Sequence, residues 1–289
     1  MIIEKMMKEW EEILFNEFDL KPAVDEMGTK ALLDFLLDNV GNLNSLVREN
    51  VAMALWTLLG INERFLSDEE YVYALDVALS DAHLFKGVGG EENDDAFMRA
   101  FASLLVRGIM MADNIYEILT QEQYEHTLNK AIQYLKLEND RRSFIHDKGT
   151  VHAPCHGMLM VTAIIHHKAF SAVKGKYVER ILDVVKKFVV CEERFAAVDW
   201  ADNIIAKVIP GLLIKGVNDE VIKDWIEKLL PDVNAKTYTN EHHYYVKLGT
   251  NIEHFLMCVY FALKAEKCSE TLGEWIVEYL PKLKRKVYP

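Results

Sequence analysis

Helix signals recur along almost the whole chain, and they constrain the fold more than any other feature. Ser67 with Glu70, and Thr120 with Gln123, have the spacing of capping boxes, and Gly60 ends an apolar helical run. Sustained alternation of apolar and polar residues, which would indicate strands, is nearly absent. The pattern predicts an all-α protein of about twelve helices.

The longer helices are predicted to begin at similar intervals. Their expected starts lie near Asn44, Asp94, Val151, Glu193 and Glu241, which gives spacings of 50, 57, 42 and 48 residues. HEAT and armadillo repeats recur about every 40 to 47 residues and stack helical hairpins on one another. The spacing therefore predicts an α-α superhelix of stacked helical hairpins, HEAT-like or armadillo-like.

One α-solenoid domain is expected to account for all 289 residues. Residues 1–25 are predicted to form an N-terminal capping helix, residues 26–265 the stacked hairpins, and residues 266–289 a C-terminal capping helix. Residues 1–18 lack the features of an export signal, and no run of about 18 apolar residues is present. We expect a cytoplasmic protein with no membrane partner.

The charge balance argues against a nucleic-acid partner. The chain carries 33 Lys and Arg against 45 Asp and Glu, a formal net charge of -12. Binding to phosphate backbones depends on clustered basic residues. The four cysteines contain no C-x-x-C pair, so we expect reduced thiols and no disulfide framework.

Unusual polar residues concentrate between positions 138 and 156. His152 and His156 are four residues apart, which places both rings on one helix face. Pro154 suits the first turn of that helix. Ala153 stands where a zinc protease of the H-E-x-x-H type has its glutamate, so the pair lacks that catalytic pattern.

The residues before the histidines allow two interpretations. Glu138, Asp140 and Arg142 form either a solvated ion-pair network or a device that fixes the loop presenting the histidines. Arg99 likewise lies either in a groove or on a solvated face, paired with Asp95 one turn back.

Two motifs resemble those of the bacterial domain-of-unknown-function 2785 family. The first is Glu138-x-Asp140-x-Arg142, then Gly149, then His152-Ala153-x-x-His156-Gly157, and the second is Asp95-x-Phe97-x-Arg99-x-Phe101-x-x-Leu104. The resemblance implies an all-helical, HEAT-like or armadillo-like fold and supplies no activity. Thr150 stands where the family pattern has an aromatic residue, and Leu159 stands where it has an acidic one. A function that depends on the acidic residue at the position of Leu159 would therefore be missing from this chain.

A polar groove is the predicted binding site. In stacked hairpins the second helices commonly line a concave surface, and Arg48 lies at one end of that series. The candidate groove residues are Arg99, Glu138, Asp140, Arg142, His152, His156, Asp199 and Asp202. His166 and His167 are interpreted as capping and solvated residues at a helix end. No catalytic residue, metal ligand or cofactor is assigned.

Two functions remain open at this point. The first is a binding module for a peptide, a protein or a small polar ligand. The second is a metal-dependent or histidine-based hydrolase at His152 and His156. The first is favoured, because only two nitrogen ligands are placed and no activated nucleophile is visible.

Overall fold

Helices make up most of the computed structural model, which describes residues 20–60, 64–191, 201–230 and 240–287. One two-stranded antiparallel ribbon, β1 (Phe144–Ile145) with β2 (Gly149–Thr150), interrupts them. The prediction of an all-α protein is confirmed. Among the described residues, no helix is long and apolar enough to cross a membrane.

The chain divides into two compact units, Met1–His167 and Lys168–Pro289. The first contains the ribbon and the helices α1 (Lys21–Met27), α2 (Thr29–Asn39), α3 (Ser45–Leu58), α4 (Asp68–Ala78), α5 (Asp95–Tyr116), α6 (Gln121–Leu137) and α7 (Ala153–His166). The second contains α8 (Phe170–Val189), α9 (Ala201–Ala206), α10 (Val208–Ile214), α11 (Asp219–Glu227), α12 (Asn240–Glu266) and α13 (Glu270–Val287). The continuous superhelix and its single domain stay predictions.

The local signals in the sequence set the helix starts. Ser67 Oγ accepts the Glu70 N–H at 3.2 Å, and the Glu70 carboxylate accepts the Ser67 N–H at 2.9 Å. Thr120 and Gln123 make the same reciprocal pair at the start of α6. These bonds satisfy backbone N–H groups that have no partner within the helix, so both predicted capping boxes are confirmed.

Four of the five predicted starts of long helices fall within two residues of a start in the structure, those of α3, α5, α7 and α12. The fifth, near Glu193, lies outside the described residues. The predicted C-terminal helix corresponds to α13, whereas most of the predicted N-terminal capping helix lies outside the described residues.

The core of the first unit is centred on α5, which packs along α7 and also contacts α3 and α4. Small residues allow these helices to approach closely. A Cβ atom on Gly108 of α5 would lie 2.6 Å from Leu59 Cδ1, and one on Gly157 of α7 would lie 2.6 Å from Leu135 Cδ2. These separations are shorter than van der Waals contact, so Gly108 allows the close approach of α5 to the end of α3, and Gly157 allows that of α7 to α6.

Replacing Gly157 with alanine should therefore destabilise the fold. The new methyl group would meet Leu135 and also Tyr134 Cε1 at 2.9 Å, and both side chains are fully buried. We expect Gly157→Ala to lower the free energy of unfolding by about 1–3 kcal/mol in chemical denaturation. The control is Gly175→Ala in α8, where a Cβ atom has no neighbour within 4 Å. Alanine there should add about 0.5–1 kcal/mol, and equal stability of the two variants would contradict the packing argument.

Candidate functional site

The polar segment found in the sequence forms a loop between α6 and α7. It begins at Glu138, the residue that ends α6, contains the β1–β2 ribbon, and ends at His152, the residue before α7. His152 has a φ of 49°, in the left-handed region that side-chain-bearing residues rarely adopt. Tertiary contacts must therefore hold this turn against its local preference.

A buried ion pair joins the start of the loop to α5. Arg99 Nε lies 2.6 Å from Glu138 Oε2, Arg99 Nη2 lies 3.0 Å from Oε1, and the side chains are 3% and 0% exposed. Arg99 Nη1 also donates to the Lys86 carbonyl at 2.9 Å. The alternative in which Arg99 pairs with Asp95 on a solvated face is wrong, because Asp95 pairs with Lys86 at 3.1 Å.

Two further ion pairs order the loop, one within it and one that joins it to the segment before α5. Asp140 accepts hydrogen bonds from the Arg142 N–H at 3.0 Å and from Arg142 Nε at 2.9 Å, and Arg142 Nη2 donates to the Asn93 carbonyl at 2.7 Å. Lys148 Nζ lies 2.5 Å from Asp94 Oδ2. Asp140 is 4% exposed, so the interpretation of this cluster as a solvated network does not apply to it. The cluster fixes the loop.

Arg48 of α3 holds the other side of the ribbon. It is fully buried, and its guanidinium donates to the carbonyls of Asn42 at 2.8 Å, Lys148 at 2.7 Å and Thr150 at 3.3 Å. It also lies over the Phe97 ring, 4.2 Å from the centroid. Carbonyl oxygens and ring faces thus replace water around this cation, and burial lowers its pKa.

The two histidines lie where α7 meets α5. Their ring centroids are 6.0 Å apart, and the His156 ring meets Phe101 edge-on at 5.6 Å. Desolvation, reinforced by the charge of His152, lowers the pKa of His156 to about 3, although a hydrogen bond to the Ala100 backbone opposes the shift. His156 is therefore a neutral imidazole at physiological pH.

The predicted groove residues differ in burial and in the part of the chain to which they belong. Arg99 and Glu138 have almost no solvent access, and they contact each other within the first unit. Asp202 belongs to α9 of the second unit, and Asp199 lies outside the described residues. A groove shared by all eight residues stays a prediction. In the described residues, no group of three or more His, Cys, Asp or Glu side chains could hold a metal ion.

His167 is the residue that caps the C-terminal end of α7, as predicted, but the interpretation that it is solvated is wrong. The residue is 3% exposed, its Nε2 atom lies 2.9 Å from Asp113 Oδ2, and its ring stacks on Tyr124 at 5.0 Å. The other oxygen of Asp113 accepts the N–H groups of Ile118 and Leu119, both at 2.7 Å. His167 and Asp113 therefore tie the end of α7 to the end of α5.

A pocket of about 300 Å³ opens between α3 and α5, and its lining includes Phe101, which contacts His156. Its buried surface is apolar and comes from Val40, Leu55, Leu59, Phe101 and Leu105. Its remaining lining residues are Glu49, Ala52, Met53, Trp56, Leu104 and Arg107. Sequence reasoning missed this site, because each of its apolar residues has the pattern of ordinary core.

The polar groups of the pocket are few. The Arg107 guanidinium lies over the Trp56 ring, 5.2 Å from the centroid, and burial lowers its pKa. Within the described part of the chain, Arg107 and Glu49 make no hydrogen bond and no ion pair. An apolar cavity with a few convergent polar groups is the usual form of a ligand site.

Comparison with known proteins gives one match. A family model described as "Protein of unknown function (DUF2785)" matches residues 84–261, more than half of the chain. No curated protein and no solved structure matches the chain. The matched region begins before α5 and includes Arg99, Glu138 and both histidines.

Removing one partner of the buried ion pair should be costly. We expect Glu138→Gln to lower the free energy of unfolding by about 3 kcal/mol or more, because it leaves the Arg99 charge buried without a carboxylate. Asp95→Asn is the matched control, since that pair is partly exposed and should contribute less than about 1 kcal/mol. Chemical denaturation of both variants measures the difference. A cost for Glu138→Gln no larger than that of the control would contradict the assignment.

The low pKa of His156 predicts a loss of stability in acid. Between pH 6.5 and about 3 the unfolded chain binds a proton at this ring that the folded chain does not bind, so stability falls as the pH falls. From pH 7 to 5 the wild type should lose roughly 2 kcal/mol more than His156→Leu. The control is His146→Leu at a ring that is 89% exposed. Parallel curves for wild type and His156→Leu would overturn the prediction.

Proposed function

The chain belongs to the DUF2785 family of proteins of unknown function, and we propose that it is a binding module for a ligand or protein segment. The pocket between α3 and α5 takes up an apolar group of that partner. The observation that carries the proposal is the combination of an apolar floor with an arginine that rests on Trp56 and pairs with no carboxylate among the described residues. This proposal places the binding site in the pocket, whereas the polar groove stays a prediction.

The network around the loop supports this proposal because it holds one wall of the pocket rigid. Phe101 contributes to the floor, and its ring also contacts the Arg48 guanidinium at 5.0 Å and the His156 ring at 5.6 Å. Arg99, two residues earlier on α5, is locked to Glu138. A wall that is fixed before binding loses little conformational entropy when a partner arrives.

The properties of His156 support binding over hydrolysis. A general acid or base works best when its pKa lies near the operating pH. With a pKa of about 3, His156 is not in the imidazolium form that acts as a general acid at neutral pH, and its neutral ring is a weak base. Its ring is already engaged by Ala100 and Phe101, which suits a role in packing α7 against α5.

The hydrolase alternative has its own discriminating measurement. Elemental analysis of protein purified without a chelator or a histidine tag would be compared with a His152→Ala, His156→Ala variant. Stoichiometric zinc, iron or manganese that disappears in the variant would favour the hydrolase. Equal metal content in the two proteins would favour the binding module over the hydrolase.

Filling the pocket should abolish binding without unfolding the protein. Ala52 lines the pocket and is only half-buried, so an indole group at this position can occupy the cavity. Ligand-observed NMR of a fragment library should give apolar fragments that bind the wild type and not Ala52→Trp. The control is Ala172→Trp on an exposed position of α8, which should bind the same fragments as the wild type.

A thermal melt of each variant verifies that the fold is retained. If no fragment distinguishes Ala52→Trp from Ala172→Trp, the proposed function is wrong.

A further inference from the structure

We propose that the partner is a short peptide segment with apolar side chains in the middle, a basic residue beside Glu49 and an acidic residue beside Arg107. The inference rests on the proposed function, and it specifies which partner the pocket takes. It follows from the positions of the two charged side chains relative to the apolar floor.

The two charges lie at opposite ends of the pocket. Glu49, Ala52, Met53 and Trp56 follow the spacing of a single helix face, and all four line the pocket. Glu49 and Trp56 are seven residues apart, which is about 10 Å along a helix. Arg107 lies over Trp56 and therefore marks the far end. A partner that spans the pocket meets a carboxylate at one end and a guanidinium at the other.

Arg107 is prepared to receive a carboxylate. Its guanidinium is oriented by the Trp56 ring, and it has no hydrogen-bond acceptor among the described residues. Burial opposes its charge, as the lowered pKa shows. A planar guanidinium binds a carboxylate through two parallel hydrogen bonds, and such a pair would offset that burial.

Glu49 offers the opposite charge at the other end. It lies on the exposed rim, directly after the buried Arg48 in the sequence. Among the described residues the Glu49 carboxylate accepts no hydrogen bond and joins no ion pair, so it is open to a cation from a partner. Exposed rim charges of this kind select a partner more than they strengthen binding.

The shape of the pocket favours a peptide over a compact small molecule. A volume of about 300 Å³ is at the low end for a complete ligand but suits one or two apolar side chains. Met53 at the mouth is 53% exposed, so the pocket opens onto the surface. An apolar anchor that enters a pocket between polar rim contacts is the usual arrangement at peptide and protein interfaces.

The test uses pools of blocked hexapeptides with four central positions drawn from Leu, Ile, Phe and Met. The flanking pairs are Lys with Glu in either order, Gln with Gln, Lys with Lys, and Glu with Glu. Affinities for the full chain are measured by thermophoresis at low and at high salt. The variants are Glu49→Gln, Arg107→Gln and Ala52→Trp, and the control is Glu69→Gln at an exposed position of α4.

The pools with Lys and Glu flanks should bind the wild type roughly tenfold more tightly than the Gln pool, and high salt should reduce this preference. Arg107→Gln should remove the benefit of the Glu flank, Glu49→Gln that of the Lys flank, and Glu69→Gln neither. If the charged pools and the Gln pool bind the wild type equally, and Ala52→Trp binds none of them, the inference is overturned and the proposed function stands. Peptide binding that survives Ala52→Trp would overturn the proposed function itself. If no pool binds the wild type, the peptide inference is wrong, and the fragment screen alone decides the function.

Discussion

The ion pair between Arg99 and Glu138 is the interaction on which the rest of the first unit depends. Moving both charges out of water costs several kcal/mol per ion, so the pair is tolerated only with further hydrogen bonds. Arg99 donates one of these to the Lys86 carbonyl, and the Asp140 N–H donates another to the Glu138 carboxylate. The pair joins α5 to the end of α6, and it thereby determines where the loop that follows must begin.

A second buried cation completes the arrangement from the opposite side. Arg48 bridges α3 to the ribbon through backbone carbonyls, and the rings of Phe97 and Phe101 cover its guanidinium. Because those carbonyls belong to the loop, Arg48 links the position of the loop to that of α3. Phe101 takes part both in this contact and in the pocket floor. The polar network and the apolar pocket therefore share the segment of α5 around Phe101.

The fold class and helix starts were predictable because they depend on local signals, such as the Ser67–Glu70 capping box. The partner of Arg99 was not, since Asp95 and Glu138 are both acidic and only tertiary packing selects the one 39 residues away. His167 shows the same limit. A histidine at a helix end resembles a solvated residue until the neighbouring helix brings Asp113 to it.

The pocket could not be predicted from the sequence for a different physical reason. A cavity is a place that side chains fail to fill, and apolar residues that line one have the same periodicity as those that fill a core. Trp56 and Phe101 therefore resemble packing residues, and each also packs against a neighbour in the structure. What distinguishes the pocket from core is the charge at its edge. An arginine that rests on an aromatic ring, with no carboxylate from the described residues, is stabilised further by any partner that supplies one.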